Sequence, residues 1–221
     1  TTPEATMYVP SYASWLEKTD QSYAYEYAVK LLKFLQWQRP AKRWVLKSPH
    51  HLEFLDLVHK HFQDVRIFWA HRDVYRSIPS FLSMMAHSQM IFSNEVTLER
   101  VAGHWVRKSG YMLSKGLAFR TGNHKEGLFT DVYYDKFVKD SMGTMERVYS
   151  ENGGLTDPFK EKLMLAEKEN PPRKYGVHEY CLRDFGLEEE DIDRHTLEYR
   201  DFIRNLNDRG NGGHRDYTEM H

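Results

Sequence analysis

Hydrophobic and polar positions alternate along the chain so that three short apolar runs stand apart from longer amphipathic stretches. The runs RWVLK, RIFWA and LFTDVYY cover 43–47, 66–70 and 128–134 and are rich in residues that favour β-structure. Each run predicts a buried strand. Helices are predicted at 20–38, 51–62, 75–89, 95–120, 134–152, 157–169 and 188–204.

The stretch 20–38 has the clearest helical period. Tyr27, Leu31, Phe34 and Leu35 are spaced at i, i+4, i+7 and i+8, and a proline at 40 follows them. This spacing predicts an amphipathic helix that ends before the proline, because the residue preceding a proline disfavours helical geometry.

Strands separated by helices predict an α/β fold, a three-layer sandwich in which helices cover both faces of a parallel sheet. Three strands are few for such a sheet, since its middle strands need partners on both sides, and a fourth strand is expected. We expect a single domain over 1–206. The polar, glycine-rich stretch 207–221 predicts a flexible tail.

Composition and charge exclude several classes of protein. With 40% hydrophobic and 29% charged residues among 221, the chain is not a disordered or collagen-like protein. A net charge of −1 provides no general attraction for nucleic acid or an anionic membrane, so any anion site must be local. The single cysteine excludes an intrachain disulfide, and no apolar run reaches the roughly 18 residues of a membrane span. No nucleic-acid partner and no direct membrane span are therefore expected.

Candidate chemistry lies where the predicted strands end, because ligands of parallel sheets bind at the carboxyl ends of the strands. Lys47 ends the first run, His50 and His51 follow it, and Arg72 and Ser80 follow the second run. A fixed cation with a hydroxyl at the start of a helix is a common way to hold a phosphate.

These segments resemble a known family. RWVLKSPHHLEFLDLVHKHF and VRIFWAHRDVYRSIPSFLSM are similar to the sulfotransferases that use 3′-phosphoadenosine-5′-phosphosulfate (PAPS), especially the bacterial-type branch with Lys-Ser-Pro-x-His and His-Arg-Asp-Pro patterns. The likeness extends to DVYYDKFVKD and KYGVHEYCLRDFGL. It implies a P-loop-like sulfotransferase fold and transfer of a sulfuryl group from PAPS to a hydroxyl or amine, with 3′-phosphoadenosine-5′-phosphate (PAP) as the product.

The resemblance also implies roles for individual residues. Arg72 and Ser80, eight positions apart as in the family, would bind the 3′-phosphate of the donor. Lys47 would stabilise charge on the leaving phosphate oxygen, and His51 would take the proton from the acceptor. His50 stands beside His51 and is the alternative base.

A late basic stretch is a further candidate for donor binding. Arg173, Lys174 and Gly176 stand where related enzymes carry a loop over the 3′-phosphate, and glycine lets the backbone approach an anion closely. A plain linker with solvated charges is the alternative interpretation.

The chain departs from the family in two places. No loop of the Pro-Arg/Lys-Ser-Gly-Thr-Thr type occurs, although the family uses it to bind the 5′-phosphosulfate, and Val74 replaces the usual proline after His-Arg-Asp. In the family that loop would precede Thr1. The sequence therefore predicts the carboxyl-terminal part of a longer sulfotransferase.

Other functions stay open at this level. A catalytically silent nucleotide-binding or interaction module of the same fold is the main alternative, and a P-loop-like kinase is a weaker one. No metal is expected, because the histidines lack zinc-site spacing. The acceptor, a small molecule or glycan, and the oligomeric state are not determined. A cytoplasmic location is expected, with the Golgi as the alternative if an anchor lies upstream.

Overall fold

The computed structural model of the chain describes residues 2–40, 43–122, 127–150, 153–171 and 180–211, without the side chains of 2 and 207–211. Helices dominate it. The α-helices are α1 Thr2–Thr6, α2 Pro10–Lys18, α3 Ser22–Gln38, α4 Leu55–His61, α5 Val74–Met90, α6 Leu98–Gly122, α7 Tyr134–Lys139, α8 Ser141–Ser150, α9 Asp157–Glu169 and α10 Glu189–Asn211. Two short 3₁₀ helices cover Pro49–Glu53 and Leu182–Phe185. No helix among these described ranges is long and apolar enough to span a membrane.

Two of the predicted strands form the sheet. The strands β1, Ile67–His71, and β2, Phe129–Tyr133, are parallel, and their register pairs Ile67 with Phe129 and His71 with Tyr133. The sequence located both strands to within one residue at each end, because each is a short apolar run bounded by polar positions. The helices α5 and α6 connect them, as a parallel pair requires a long crossover.

The prediction of a strand at 43–47 is wrong for the described part of the chain, where the sheet has two strands rather than three. Residues 43–48 form no regular element, and Val45 is 81% exposed. The physical reason is that strand formers become a strand only by hydrogen bonding to a neighbour. Neither β1 nor β2 pairs with this segment.

Helices cover both faces of the sheet, which confirms the α/β architecture with a parallel sheet between helical layers. Successive residues of β1 point to opposite faces. The Trp69 ring stacks on Tyr199 of α10 on one face, with 6.1 Å between ring centroids, and Phe68 stacks on Tyr149 of α8 on the other, at 6.3 Å.

The main core lies between α5, α6 and α10. Leu82, Val101, Trp105 and Ile192 are among its most deeply buried side chains. Gly110 lets α10 approach α6 closely, since a Cβ at this position would lie 2.7 Å from the backbone oxygen of His195. Trp69 of β1 belongs to the same core, so this side chain packs the strand against the helices.

Several predicted helices differ in detail from those observed. The segment predicted at 51–62 is a 3₁₀ helix followed by α4, and the one at 134–152 is divided into α7 and α8. Asp140 causes the second break, because its backbone leaves the helical conformation and its carboxylate accepts a hydrogen bond from the amide of Gly143. The helix α10 continues to Asn211, past the predicted start of the tail at 207, and residues 212–221 lie outside the described ranges.

An amphipathic helix normally buries its apolar side, but the apolar side of α3 is largely exposed. Tyr27, Leu31 and Phe34 are 60%, 45% and 52% exposed, and the buried residue of α3 is Tyr25. The predicted helix is therefore confirmed, while its apolar side is not the side that the protein buries. A spacing pattern shows that a helix is two-sided, but only its packing partners decide which side they cover.

Candidate functional site

Arg72 stands at the carboxyl end of the sheet. Because the register pairs His71 with Tyr133, the next residues along the two strands, Arg72 and Tyr134, come together at this edge. The guanidinium carbon of Arg72 lies 4.5 Å from the centre of the Tyr134 ring. This cation–π contact holds the planar guanidinium at the strand end, and Arg72 makes no ion pair with any residue that the structure describes.

The first turn of α5 is closed by its own N-cap. The Asp73 carboxylate accepts hydrogen bonds from the amides of Tyr75 and Arg76, at 2.8 and 3.2 Å. These two amides are thus already satisfied. They therefore do not contribute to an anion site beside Arg72.

Ser80 lies on the same side of α5 as Asp73. Seven residues separate the two, which is about two helical turns. The side chain is half-buried, and its hydroxyl makes no hydrogen bond within the described part of the chain. A helix serine often bonds to the carbonyl four residues before it. Ser80 does not, so its hydroxyl is available to a ligand.

Lys47 and His51 belong to the segment that precedes α4. Lys47 is exposed and forms no ion pair in the described ranges, while His51 is half-buried in the first 3₁₀ helix. The Nδ1 atom of His51 lies 2.9 Å from the Tyr25 hydroxyl. Burial lowers the pKa of His51 below its ordinary value of 6.5, so its imidazole is neutral at pH 7.

Tyr25 keeps its proton at neutral pH. Burial, together with the nearby carboxylates of Asp56 and Glu53, raises its pKa well above the ordinary value for tyrosine. The hydroxyl is therefore a neutral partner for His51.

His50 has a different partner from that of His51. Its Nδ1 atom lies 3.3 Å from Oε1 of Glu53, whose side chain is only 2% exposed. The other oxygen of this carboxylate accepts a hydrogen bond from the ammonium group of Lys108 on α6, at 2.8 Å. The two candidate bases are thus held by groups from three separate parts of the chain.

The 3₁₀ helix and β1 both pack against one point of α6. A Cβ on Gly116 would lie 2.3 Å from Cδ1 of Leu52 and 3.0 Å from the Trp69 ring. Leu52 directly follows His51, and Trp69 precedes Arg72 by three residues. The segment with Lys47 and His51 and the strand that leads to Arg72 are therefore anchored to the same helix. Arg173, Lys174 and Gly176 lie outside the described residues.

A polar network beneath the sheet edge was not predicted. His71 is 3% exposed; its Nε2 lies 2.6 Å from Oδ1 of Asp131 and its Nδ1 lies 2.9 Å from the Tyr199 hydroxyl. Arg120 donates two hydrogen bonds to the same carboxylate, at 2.6 and 2.7 Å. Burial would raise the pKa of Asp131, but the hydrogen bonds from Arg120 and His71 outweigh it and hold the pKa well below its usual range.

The sequence contained a signal for two of the missed residues. Asp131 interrupts the apolar run LFTDVYY, and Lys108 occupies a helical position in register with Val101, Trp105 and Met112, all of which are buried. A charged residue at a core position must find a partner. No cluster of three or more metal-ligating side chains occurs in the parts of the chain that the structure describes.

Comparison with known proteins agrees with this geometry. A model of the sulfotransferase family matches residues 1–154. The crystal structure of sulfotransferase STF9 from Mycobacterium avium is similar with a TM-score of 0.81 and 26% identity, over 90% of this chain and 51% of that one. The crystal structure of sulfotransferase STF1 from Mycobacterium tuberculosis H37Rv is similar with a TM-score of 0.72 and 26% identity, over 87% of this chain and 49% of that one. No curated protein matches.

The chain spans about half the length of these solved structures. The matched family region contains the 3₁₀ helix, both strands and α5. It therefore includes all four of Lys47, His51, Arg72 and Ser80. Sequence match and backbone similarity thus converge on the same part of the molecule, and the chain belongs to the sulfotransferase family.

Proposed function

We propose that this chain serves in the transfer of a sulfuryl group from PAPS to a hydroxyl or amine acceptor. One observation carries the proposal: Arg72, Ser80 and Lys47 all present hydrogen-bond donors that have no acceptor in the described part of the chain. Two of them are cations, and none is matched by a carboxylate. Such a donor set suits a ligand rich in phosphate and sulfate oxygens.

Arg72 and Ser80 would bind the 3′-phosphate of the donor. A guanidinium presents two parallel N–H groups that match two phosphate oxygens, and the Tyr134 ring supports its plane. The Ser80 hydroxyl would donate to a third oxygen. The capped amides of Tyr75 and Arg76 would take no part, so the side chains supply the binding.

Lys47 and His51 would act on the reacting groups. As the bond between sulfur and the bridging phosphate oxygen breaks, the Lys47 ammonium would stabilise the charge that develops on that oxygen. The acceptor oxygen or nitrogen forms the new bond to sulfur, and its proton passes to Nε2 of His51. For Nε2 to accept a proton, Nδ1 must carry one and donate it to the Tyr25 oxygen, which the 2.9 Å distance allows.

The acceptor would bind beside α3, since Tyr25 of this helix contacts His51. Two aromatic rings lie on the His51 side of the helix: that of Tyr25, 5.8 Å from the His51 ring between centroids, and that of Phe54, 6.3 Å from the Tyr25 ring. Aromatic walls with few polar groups suit small organic acceptors or the apolar faces of sugars. We therefore propose a small-molecule or glycan acceptor.

The decisive experiment is calorimetric titration of the chain with PAP, comparing Arg72→Ala with Arg76→Ala. Arg76 is exposed, lies four residues along and makes no ion pair with a described side chain, so its loss controls for general charge. We expect Arg72→Ala to weaken binding about 10- to 100-fold, since a charge-assisted hydrogen bond contributes about 1.5–3 kcal/mol. Arg76→Ala should stay within about twofold of the parent, because exposed charges contribute little.

Equal binding by the parent and Arg72→Ala would contradict the assignment of the 3′-phosphate site. A folded parent that does not bind PAP at all would instead support the silent interaction module. Circular dichroism of each variant verifies that the fold is retained.

A further inference from the structure

A buried ion cluster joins α6 to the segment that carries the two histidines. Lys108 is 1% exposed, and its ammonium lies 2.8 Å from Oε2 of Glu53 and 3.1 Å from Oε1 of Glu17. Arg107, the preceding residue of α6, donates two hydrogen bonds to the same Glu17 carboxylate. The cluster thus links α6 to the 3₁₀ helix through Glu53 and to α2 through Glu17.

Stability alone does not account for the ion pair between Lys108 and Glu53. Removing two charges from water costs as much as their attraction returns, and a well-packed apolar pair of similar volume is often at least as stable. The 3₁₀ helix is also anchored by Leu52 packed against Gly116, without any charge. The geometry of Glu53 indicates what the ion pair adds.

Glu53 uses both oxygens of one carboxylate in opposite directions. Oε2 accepts from Lys108, and Oε1 lies 3.3 Å from Nδ1 of His50. A carboxylate only accepts hydrogen bonds, so a neutral His50 in this contact must carry its proton on Nδ1. Lys108 prevents the carboxylate from rotating away, because that would leave its own buried charge without this partner.

We propose that Lys108 and Glu53 are positioning residues that fix the Nδ1–H tautomer of His50 and, through the 3₁₀ helix, the orientation of the adjacent His51. The inference rests on the proposed function for its catalytic meaning. Its structural content is independent: the Glu53 carboxylate, held by Lys108 of α6, accepts a hydrogen bond from Nδ1 of His50. Nε2 of His50 is then left without a proton, beside the neighbouring base His51.

The test is the tautomer of His50, observed by imidazole ¹⁵N NMR of the full chain and assigned with a His50→Gln variant. In the parent we expect the Nδ1–H form. Glu53→Gln should lose this preference, because an amide donates as well as accepts. Lys108→Met should weaken it in the same direction.

Arg107→Met is the matched control. It removes an ion pair from the same helix and the same cluster but makes no contact with Glu53, so the His50 signals should not change. Turnover is measured as PAP release from PAPS with 4-nitrophenol as the acceptor probe. We expect Glu53→Gln to lower kcat about 10- to 100-fold, since small misplacement of a catalytic group has effects of that size. PAP affinity should stay within about twofold.

An unchanged His50 tautomer in Glu53→Gln would overturn the proposal, whatever happens to turnover. A second outcome is that the tautomer changes in Glu53→Gln as expected while the parent neither binds PAP nor turns over PAPS. That result would support the role of Lys108 and Glu53 as positioning residues and contradict the proposed function. If Glu53→Gln does not fold, the double variant with Lys108→Met removes the opposing charge and gives the same readout. Failure of both to fold would make the pair a stability element and overturn the proposal.

Discussion

At the residue scale, what each polar side chain does depends on a partner from elsewhere in the chain. The spacing of Arg72 and Ser80 could be predicted because both lie in one strand–helix unit. Tyr25 and Glu53 could not be assigned to His51 and His50, since nothing in the local sequence tells which helix will pack against the 3₁₀ segment. The buried network around Asp131 is a third case, and it makes a prediction about pH.

Asp131→Asn should lower the free energy of unfolding at pH 7 by about 2 kcal/mol, because hydrogen bonds to a charged group contribute about 1.5–3 kcal/mol. The folded state holds the pKa of Asp131 below the ordinary value of 3.8. The contribution is therefore complete above that value and decreases as the pH falls from there toward the lower pKa of the folded state. Urea denaturation of parent and variant at pH 7 and near pH 3 measures this: the difference between the two proteins should shrink in acid.

Asp201→Asn controls for loss of a surface carboxylate, since among the described residues Asp201 pairs with Arg204 alone, on an exposed stretch of α10. Its effect should stay below about 0.5 kcal/mol at either pH. A difference for Asp131→Asn that is constant with pH would show that the charge of this carboxylate does not stabilise the fold.

At the element scale, the position of the 3₁₀ helix that carries His50 and His51 is determined by its close contact with α6. The pattern of apolar positions predicted α6 from a long helical stretch and β1 and β2 from short apolar runs. It also predicted a helix where the 3₁₀ helix and α4 lie. It did not reveal that Leu52 and Trp69 meet at Gly116, because that requires two segments far apart in sequence to reach one turn of α6.

Gly116→Ala should destabilise the protein by about 1–3 kcal/mol, the usual cost of an added group in a packed interior. The new methyl would lie 2.3 Å from Leu52 and must displace it. Gly103→Ala is the matched control on the same helix, because in the described part of the chain no packing partner beyond the helix's own neighbouring residues lies within 4 Å of its Cβ position. There alanine should stabilise by about 0.5–1 kcal/mol through its higher helix propensity. Thermal unfolding gives the change in Tm for each variant. Equal changes in Tm for Gly116→Ala and Gly103→Ala would contradict the packing of the 3₁₀ helix on α6.

At the scale of the whole molecule, no segment that the structure describes covers the aromatic face of α3. Tyr23, Tyr27, Phe34 and Trp37 follow one another at helical spacing, and all are more than half exposed. The net charge of −1 offers little repulsion between copies. Contiguous apolar surface of this kind favours association in water.

The chain should therefore self-associate with rising concentration, and Phe34→Glu with Trp37→Lys should reduce this without changing the net charge. Sedimentation velocity over a range of concentrations measures the effect. Leu197→Gln, an exposed apolar position on α10, should leave the association unchanged. A parent that stays monomeric throughout would show that this face does not self-associate.

The sequence alone determined the local elements and the chemistry at their ends: an α/β order, two strands, the Arg72–Ser80 spacing and a family resemblance. These follow from period, propensity and motif, which act over a few residues. Only the tertiary structure decided that 43–47 has no strand partner, that α3 buries Tyr25 rather than Tyr27, and that Lys108 reaches Glu53. Such outcomes depend on contacts between segments that are far apart in sequence. These contacts form only when the chain folds, so no local pattern of residues predicts them.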